Sequence, residues 1–305
     1  MKSRIASLFE RKSKNVLNVY CTAGYPMLNS TISVMQSLQR HGVDLIELGM
    51  PYSDPLADGP VIQTSGSKAI ENGMGIDVLF QQLENMRKPL LVRGDTTQGN
   101  DTTQGSDMNQ GKIVVENFSI VGDFSSSFGE VGEAGIGEAL PVVLMGYMNP
   151  VLQYGFEKFC AAAAKVGIDG LILPDLPMFE FDTEYGAIIK KYGLDFIFLI
   201  TPETSEERIL QLDERSTGFL YAVSSSSTTG TDKSFGSLEN YFAKLQNLNL
   251  KNPVLVGFGI KDKASFGEAC KYANGAIIGS AYIKALENAT DVDAATQAFL
   301  SNVLA

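Results

Sequence analysis

Histidine and cysteine are scarce in this 305-residue chain, and both scarcities narrow its chemistry. His41 is the single histidine. No histidine cluster is therefore available to hold a metal, and a Ser-His-Asp triad would have to recruit this one residue. It stands just before Gly42 at the end of a helical pattern, where the helix dipole favours histidine. Cys21, Cys160 and Cys270 are odd in number and widely spaced, so they suggest neither a disulfide frame nor a zinc knuckle and read as buried thiols. Positive charge is short as well: 24 Lys and Arg stand against 35 Asp and Glu, a net charge of −11. That balance argues against nucleic acid or an anionic membrane as partner. It leaves a small anionic substrate open, since backbone N–H groups alone can hold a phosphate. No apolar run reaches the length that spans a bilayer, and the polar, basic residues 1–15 lack the apolar core of a targeting signal, so a cytoplasmic protein is expected.

Hydrophobic residues make up 44% of the chain and charged residues 19%, enough for a sizeable core. Short apolar runs at 16–20, 43–48, 141–145, 170–173, 195–200, 219–223, 254–257 and 276–278 read as strands. Helical patterns fall between them at 29–40, 76–87, 156–166, 180–192, 238–248, 263–272, 282–287 and 293–303. Another helix opens on Thr204-Ser205-Glu206-Glu207, which has the form of a capping box. The strands are continuously apolar, as in a parallel sheet buried on both faces. Eight such units fit a closed (β/α)8 barrel forming one domain over residues 1–305. The rival is a doubly wound open sheet, but no G-x-G-x-x-G follows the first strand.

One segment breaks the rhythm. Residues 89–138 are rich in Gly, Ser, Thr, Asn and Asp, and contain the tandem hexads Asp95-Thr-Thr-Gln-Gly-Asn and Asp101-Thr-Thr-Gln-Gly-Ser. A loop this long is unusual in a compact domain, so it reads as a loosely ordered insertion before the third barrel strand. Within it, the apolar patch 113–115 has the makings of a paired strand. Lying between a helix and the next strand, the segment would emerge at the N-terminal face of a barrel.

The chemistry concentrates after the second strand. Glu47 interrupts the apolar run 43–48, and a buried carboxylate in a strand is costly unless something uses its charge. The loop that follows carries Asp54 and Asp58 and is stiffened by Pro51, Pro55 and Pro60. Each acid has a structural alternative: a satisfied buried carboxylate for Glu47, turn residues for the two aspartates. Together, at the C-terminal end of a barrel strand, they form a candidate acid/base site. Tyr221 on the sixth strand is either core or a hydroxyl aimed at the barrel mouth. The run Ser224–Thr231 is either a flexible loop or a lid. Gly257-Phe258-Gly259-Ile260 and Gly279-Ser280-Ala281 end the seventh and eighth strands, where barrels commonly cradle a phosphate.

The run Leu45-Ile46-Glu47-Leu48-Gly49-Met50-Pro51-Tyr52-Ser53-Asp54-Pro55-Leu56-Ala57-Asp58-Gly59-Pro60 resembles the signature of the tryptophan synthase α chain family. Leu144-Met145-Gly146-Tyr147-Met148-Asn149-Pro150, Pro174-Asp175-Leu176-Pro177 and Gly257-Phe258-Gly259-Ile260 support the likeness. The resemblance implies an α/β fold, a TIM barrel with an extra N-terminal helix. It implies retro-aldol cleavage of indole-3-glycerol phosphate to indole and glyceraldehyde 3-phosphate, without a metal. Glu47 then matches the catalytic acid/base, Asp58 the carboxylate that holds the indole N–H, and Tyr221 a tyrosine near the scissile side chain. Tyr20, Met145, Tyr147 and Ile172 match the indole pocket. Gly230, Gly257, Gly259, Gly279 and Ser280 match the phosphate loops, and Thr229 the lid threonine. Pro51 and Asp54 become candidate contacts to a β chain, which would carry pyridoxal phosphate (PLP) in an α2β2 assembly. The chain departs from the family in having Ser225 where an arginine is common in the lid, and in its long insertion. Two other readings stay open: a barrel that only activates a partner, and another phosphate-binding barrel enzyme such as an isomerase.

Overall fold

The computed structural model describes residues 3–55, 58–84, 86, 90, 91, 115, 116, 140–223, 238–257 and 259–304. The chain opens with helix α1 (Arg4–Arg11), then β1 (Val16–Thr22), α2 (Ser30–Arg40), β2 (Leu45–Gly49), α3 (Pro60–Glu71) and α4 (Ile76–Leu83). Two short strands follow, β3 (Leu90–Leu91) and β4 (Val115–Glu116). The alternation resumes with β5 (Val142–Met145), α5 (Met148–Tyr154), α6 (Phe156–Lys165), β6 (Gly170–Ile172), α7 (Met178–Glu180), a π-helical turn (Phe181–Tyr185) and α8 (Gly186–Lys191). Then come β7 (Asp195–Phe196), β8 (Leu199–Ile200), α9 (Glu206–Arg215), β9 (Leu220–Val223) and α10 (Glu239–Asn247). The last elements are β10 (Val254–Gly257), α11 (Lys263–Tyr272), β11 (Gly275–Ile278), α12 (Ser280–Leu286) and α13 (Val292–Leu304).

Nine strands form one parallel sheet in the order β7-β6-β5-β2-β1-β11-β10-β9-β8. Its two ends, β7 and β8, are halves of one extended stretch. Asp195 N and Ile197 N donate to Asp169 O and Leu171 O on the β6 side, while Phe198 O accepts from Tyr221 N on the β9 side. The stretch 195–200 therefore hydrogen-bonds first to one neighbour and then to the other. The ring closes through it as an eight-stranded (β/α)8 barrel, which leaves no free edge. Each barrel strand is buried along nearly its whole length, because helices cover one face and the other fills the lumen.

The N-terminal helix plugs the barrel at the end where the strands begin. Ile5 and Leu8 are buried against the core, and Arg4 Nε lies 2.7 Å from Asp169 Oδ1 just before β6. The same carboxylate accepts from Val142 N at 2.8 Å, so it ties β5, β6 and α1 together. The three cysteines are free and buried. His41 caps α2 and faces Asp293 of α13 at 3.1 Å, a surface link between helices.

Several expected boundaries shift. The fifth strand is interrupted at Ile197 and Phe198, where the sheet changes partner. The helix expected over 180–192 starts at Met178 and passes through a π turn. The capping box expected at Thr204 is displaced by one residue: Ser205 caps α9 by accepting from Arg208 N, and Thr204 Oγ1 accepts from Thr201 N. A reciprocal capping box closes α11 instead, between Asp262 and Ser265. The pattern gave no sign of α3 or α5. Of the expected insertion 89–138, only β3 and β4 are described, as a two-rung antiparallel ladder; the tandem hexads lie outside the described residues. Among the described residues, no helix is long and apolar enough to cross a membrane.

Candidate active site

Strand register decides which side chains share the lumen. Tyr20 lies opposite Glu47, and Glu47 opposite Val143; Gly49 lies opposite Met145, and Met145 opposite Ile172. Residues in register on parallel strands point to the same face. Tyr221 on β9 is separated from β2 by β10, β11 and β1, yet its hydroxyl feels the charges of Glu47, Asp58 and Tyr20. Such coupling accords with a side chain aimed into the lumen. Tyr20, Glu47 and Tyr221 therefore converge in the lumen, with Met145 and Ile172 closing the last rung of β5 and β6.

Two glycines make the room. A Cβ on Gly49 would strike the Tyr20 ring, and one on Gly257 would strike the Tyr221 ring. Each aromatic ring lies across the backbone of the neighbouring region at the barrel mouth, and only glycine admits it there.

Glu47 is 1% exposed. Burial raises its carboxyl to about 8, Asp58's negative charge pushes the same way, and a hydrogen bond from Asn18 opposes both. That bond runs 3.0 Å from Asn18 Nδ2 to Glu47 Oε2, wholly within the lumen. Asp58 follows the loop out of β2 and sits just ahead of α3, which starts with Gly59 at its N-cap and Pro60 in its first turn. Burial raises its carboxyl to about 6, held back by a hydrogen bond from the Tyr147 hydroxyl. Its backbone is pinned twice: Asp58 N donates to Pro55 O at 3.1 Å, and Asp58 O accepts from Gln63 Nε2 at 2.8 Å. Tyr147 in turn packs on Tyr52, ring centroids 5.4 Å apart. Burial also raises the Tyr20 and Tyr221 hydroxyls well above the ordinary tyrosine range, which keeps both neutral.

The expected phosphate residues cluster where β10 and β11 run side by side, Gly257 opposite Ile277. Gly257 ends β10, Gly259 turns the chain with φ +77°, Gly279 caps α12 and Ser280 begins it. Gly230, Thr229 and Ser225 lie outside the described residues. Pro51 is half-buried and Asp54 exposed on the loop after β2, where Ser53 Oγ donates to Asp54 Oδ2 at 2.6 Å. A cleft of about 310 Å³ opens beside the mouth, between Leu173–Met178 and α9. It is lined by Asp175, Phe198 and Arg208 among others, and neither Glu47 nor Asp58 lines it.

The structure thus brings together Tyr20, Glu47, Asp58, Tyr147 and Tyr221, with Gly257 beneath the Tyr221 ring. It adds a residue that sequence reasoning passed over, Asn18. The signal was present: a lone amide in the apolar run Val16-Leu17-Asn18-Val19, on the same alternation as Tyr20.

A sequence model of the family described as tryptophan synthase alpha chain matches residues 6–92 and 125–303. The tryptophan synthase alpha chain of Flavobacterium johnsoniae is 46% identical over 277 residues, covering 90% of each chain. That of Bacteroides thetaiotaomicron is 40% identical over 294 residues, covering 96% of each. Among solved structures, tryptophan synthase subunit alpha from Legionella pneumophila str. Paris superposes with a TM-score of 0.74 at 30% identity, over 99% of this chain and 97% of that one. A chain of tryptophan synthase from M. tuberculosis, in its aminoacrylate-bound form, gives 0.72 at 27% identity, over 99% and 100%. Matched along nearly its whole length in sequence and in fold, the chain belongs to the tryptophan synthase alpha chain family.

Proposed function

We propose that this chain cleaves indole-3-glycerol phosphate to indole and glyceraldehyde 3-phosphate as the α subunit of tryptophan synthase. The observation that carries the reading is the pair of buried carboxyls, Glu47 and Asp58, held at one barrel mouth with unequal proton affinities. Near neutral pH the first is mostly protonated and the second mostly ionised, which suits two different tasks.

Glu47, as the acid, delivers its proton to C3 of the indole ring. The positive charge that develops on the ring nitrogen is held by the Asp58 carboxylate, which accepts the indole N–H. The ring is then an electron sink. The Glu47 carboxylate takes the proton of the side-chain hydroxyl next to C3, and the carbon–carbon bond breaks into aldehyde and indole. Glu47 ends the cycle protonated, as it began, so no proton is gained or lost. An electron sink supplied by the substrate removes the need for a metal or a Schiff base. Tyr20, Met145, Tyr147 and Ile172 wall the heterocycle, and Tyr221 faces the side chain from β9. Gly257, Gly259, Gly279 and Ser280, together with Gly230, receive the phosphate through N–H groups, which accords with an acidic protein.

The product indole passes to a PLP-dependent β chain that forms L-tryptophan, in an α2β2 assembly with Pro51 and Asp54 at the contact. Pyridoxal phosphate belongs to that partner. Thr229 acts in a lid over the mouth. The deciding assay is indole release by the purified chain, with and without a β chain. Wild type is expected to release indole, faster with the partner. Glu47→Gln is expected to lose at least about a thousandfold in kcat while keeping its fold. A barrel that binds the β chain and yields no indole either way would instead be an activator only.

A further inference from the structure

We propose that Asn18 is a positioning residue that holds the Glu47 carboxyl in both of its protonation states, donating from Nδ2 to the carboxylate and accepting at Oδ1 from the carboxylic acid. The inference rests on the acid/base role assigned to Glu47 above. Two observations carry it. Asn18 is fully buried on β1, two residues before Tyr20, and its Nδ2 lies 3.0 Å from Glu47 Oε2. Its Oδ1 is also buried and has no hydrogen-bond partner among the described residues.

An orphaned amide oxygen in a barrel lumen is expensive, and strands of this kind ordinarily carry Val or Ile at such a place. An amide has a use there that neither an aliphatic side chain nor a lysine has. It presents a donor and an acceptor on one carbon, and a half-turn about its last torsion exchanges them. Nothing else holds Oδ1, so the turn breaks no bond except the one to Glu47. When Glu47 gives its proton to the substrate, Nδ2 meets the new negative charge. When the proton returns, Oδ1 accepts from the O–H. Either way one carboxyl oxygen stays fixed and the other stays aimed at the substrate.

The groups facing Glu47 leave this task to Asn18. Asp58 comes from the loop after β2, Tyr20 and Cys21 from β1, and Tyr221 from β9. All are acids, and none is a cation that would favour the ionised form. Among the described residues, Asn18 is the neighbour pulling toward it. Asn18 meets Glu47 directly through Nδ2, so its loss is read at that carboxyl.

The test replaces Asn18 with Leu, which keeps the volume, with Ala, which relieves any crowding, and with Thr, whose hydroxyl is again both donor and acceptor. The near-UV circular dichroism identifies the folded variants. Two readouts follow on these. The first is the carboxyl 13C titration of Glu47, assigned by its absence in Glu47→Gln, which needs no turnover. The second is kcat and KM for indole release against pH. In Leu or Ala, whichever folds, the Glu47 midpoint is expected to rise by about one unit and kcat to fall about tenfold, with KM within about twofold; Thr recovers part of both. An unchanged midpoint in a folded Leu or Ala variant overturns the proposal, as does a loss confined to KM. A wild-type chain that yields no indole would overturn the proposed function alone, because the titration still reads Asn18.

Discussion

At the scale of single residues, the two carboxyls set the pH behaviour. On the proposed mechanism, activity needs Asp58 ionised, with a midpoint near 6, and Glu47 protonated, with a midpoint near 8. The kcat/KM profile for indole release is therefore expected to be a bell with its maximum near pH 7, falling on the acid side with Asp58 and on the alkaline side with Glu47. Asp58→Asn should remove the acid limb and cost on the order of a hundredfold or more, measured by the same assay. Stability moves with the same group. The folded-state value for Glu47, about 8, lies above its ordinary value of 4.5, so between these limits the native chain keeps a proton that the unfolded chain releases. Stability is then fullest below that ordinary value and declines as pH rises through about 8. Glu47→Gln needs no such proton. Denaturant titrations should show it close to wild type at pH 5 and more stable by about 2–4 kcal/mol at pH 8.5, while inactive at both. A variant that is no more stable at the alkaline end would mean that the carboxylate is well solvated in the folded chain. Glu47 and Asp58 were legible in the sequence because a charge in an apolar strand and an acid in a proline-stiffened loop break local rules. Asn18 breaks the same rule more quietly: an uncharged amide carries a smaller desolvation penalty and so a weaker signal.

At the scale of elements, the helix before the barrel contributes the Arg4–Asp169 ion pair and the apolar side chains Ile5, Leu8 and Phe9. Asp169 is 5% exposed and faces Arg4, itself 30% exposed, at the end of the barrel away from the carboxyls. Arg4→Ala removes the cation beside that buried charge, and is expected to cost about 1–3 kcal/mol by denaturant titration. Indole release per folded molecule should stay within about twofold, since Arg4 is remote from the mouth; a larger loss would mean that the N-terminal end of the barrel controls the site. Elements were readable in proportion to how plainly their buried face is apolar. The strands announced themselves as apolar runs, and Lys263–Tyr272 matched its pattern residue for residue. The helix Pro60–Glu71 did not, because what it buries is Ser65, Gly66 and Ala69. Small residues let it press close to the site, where Ser65 Oγ meets Thr22 Oγ1 of β1 at 2.7 Å, but they leave no apolar stripe to detect. Met148–Tyr154 was hidden by Pro150, which reads as a break although a proline in the first turn leaves no helical hydrogen bond unmade. The split fifth strand could not be foreseen, since the change of partner at Ile197 and Phe198 is a property of ring closure and leaves no local pattern.

At the scale of the molecule, the barrel separates two ends with different duties. Of the side chains proposed for catalysis, Glu47 and Tyr221 line the lumen and Asp58 follows the C-terminal end of β2, whereas the segment between α4 and β5 leaves and re-enters at the N-terminal end. The family match stops at residue 92 and resumes at 125, so the intervening residues lie outside the match to the family model. The parts of the expected insertion that flank them, 89–92 and 125–138, fall within the family match, and composition alone could not draw that line. From the described residues, β3 and β4 add only two rungs of antiparallel pairing to the barrel. The lumen is filled without them, and the ring is closed by β7 and β8 on the far side. Replacing residues 93–124 with a short Gly/Ser linker, which behaves as a flexible coil and imposes no geometry of its own, should therefore leave the catalytic end intact. Indole release and its stimulation by the β chain are expected to stay within about twofold of the full chain, with the midpoint of thermal unfolding shifted by no more than about 3 °C, the scale of a sub-kcal/mol change in a domain of this size. A tenfold fall in stimulation with basal release preserved would assign the segment to partner coupling. A tenfold fall in basal release itself would mean that the two ends of this barrel are not independent, and the division of labour argued here would have to be abandoned.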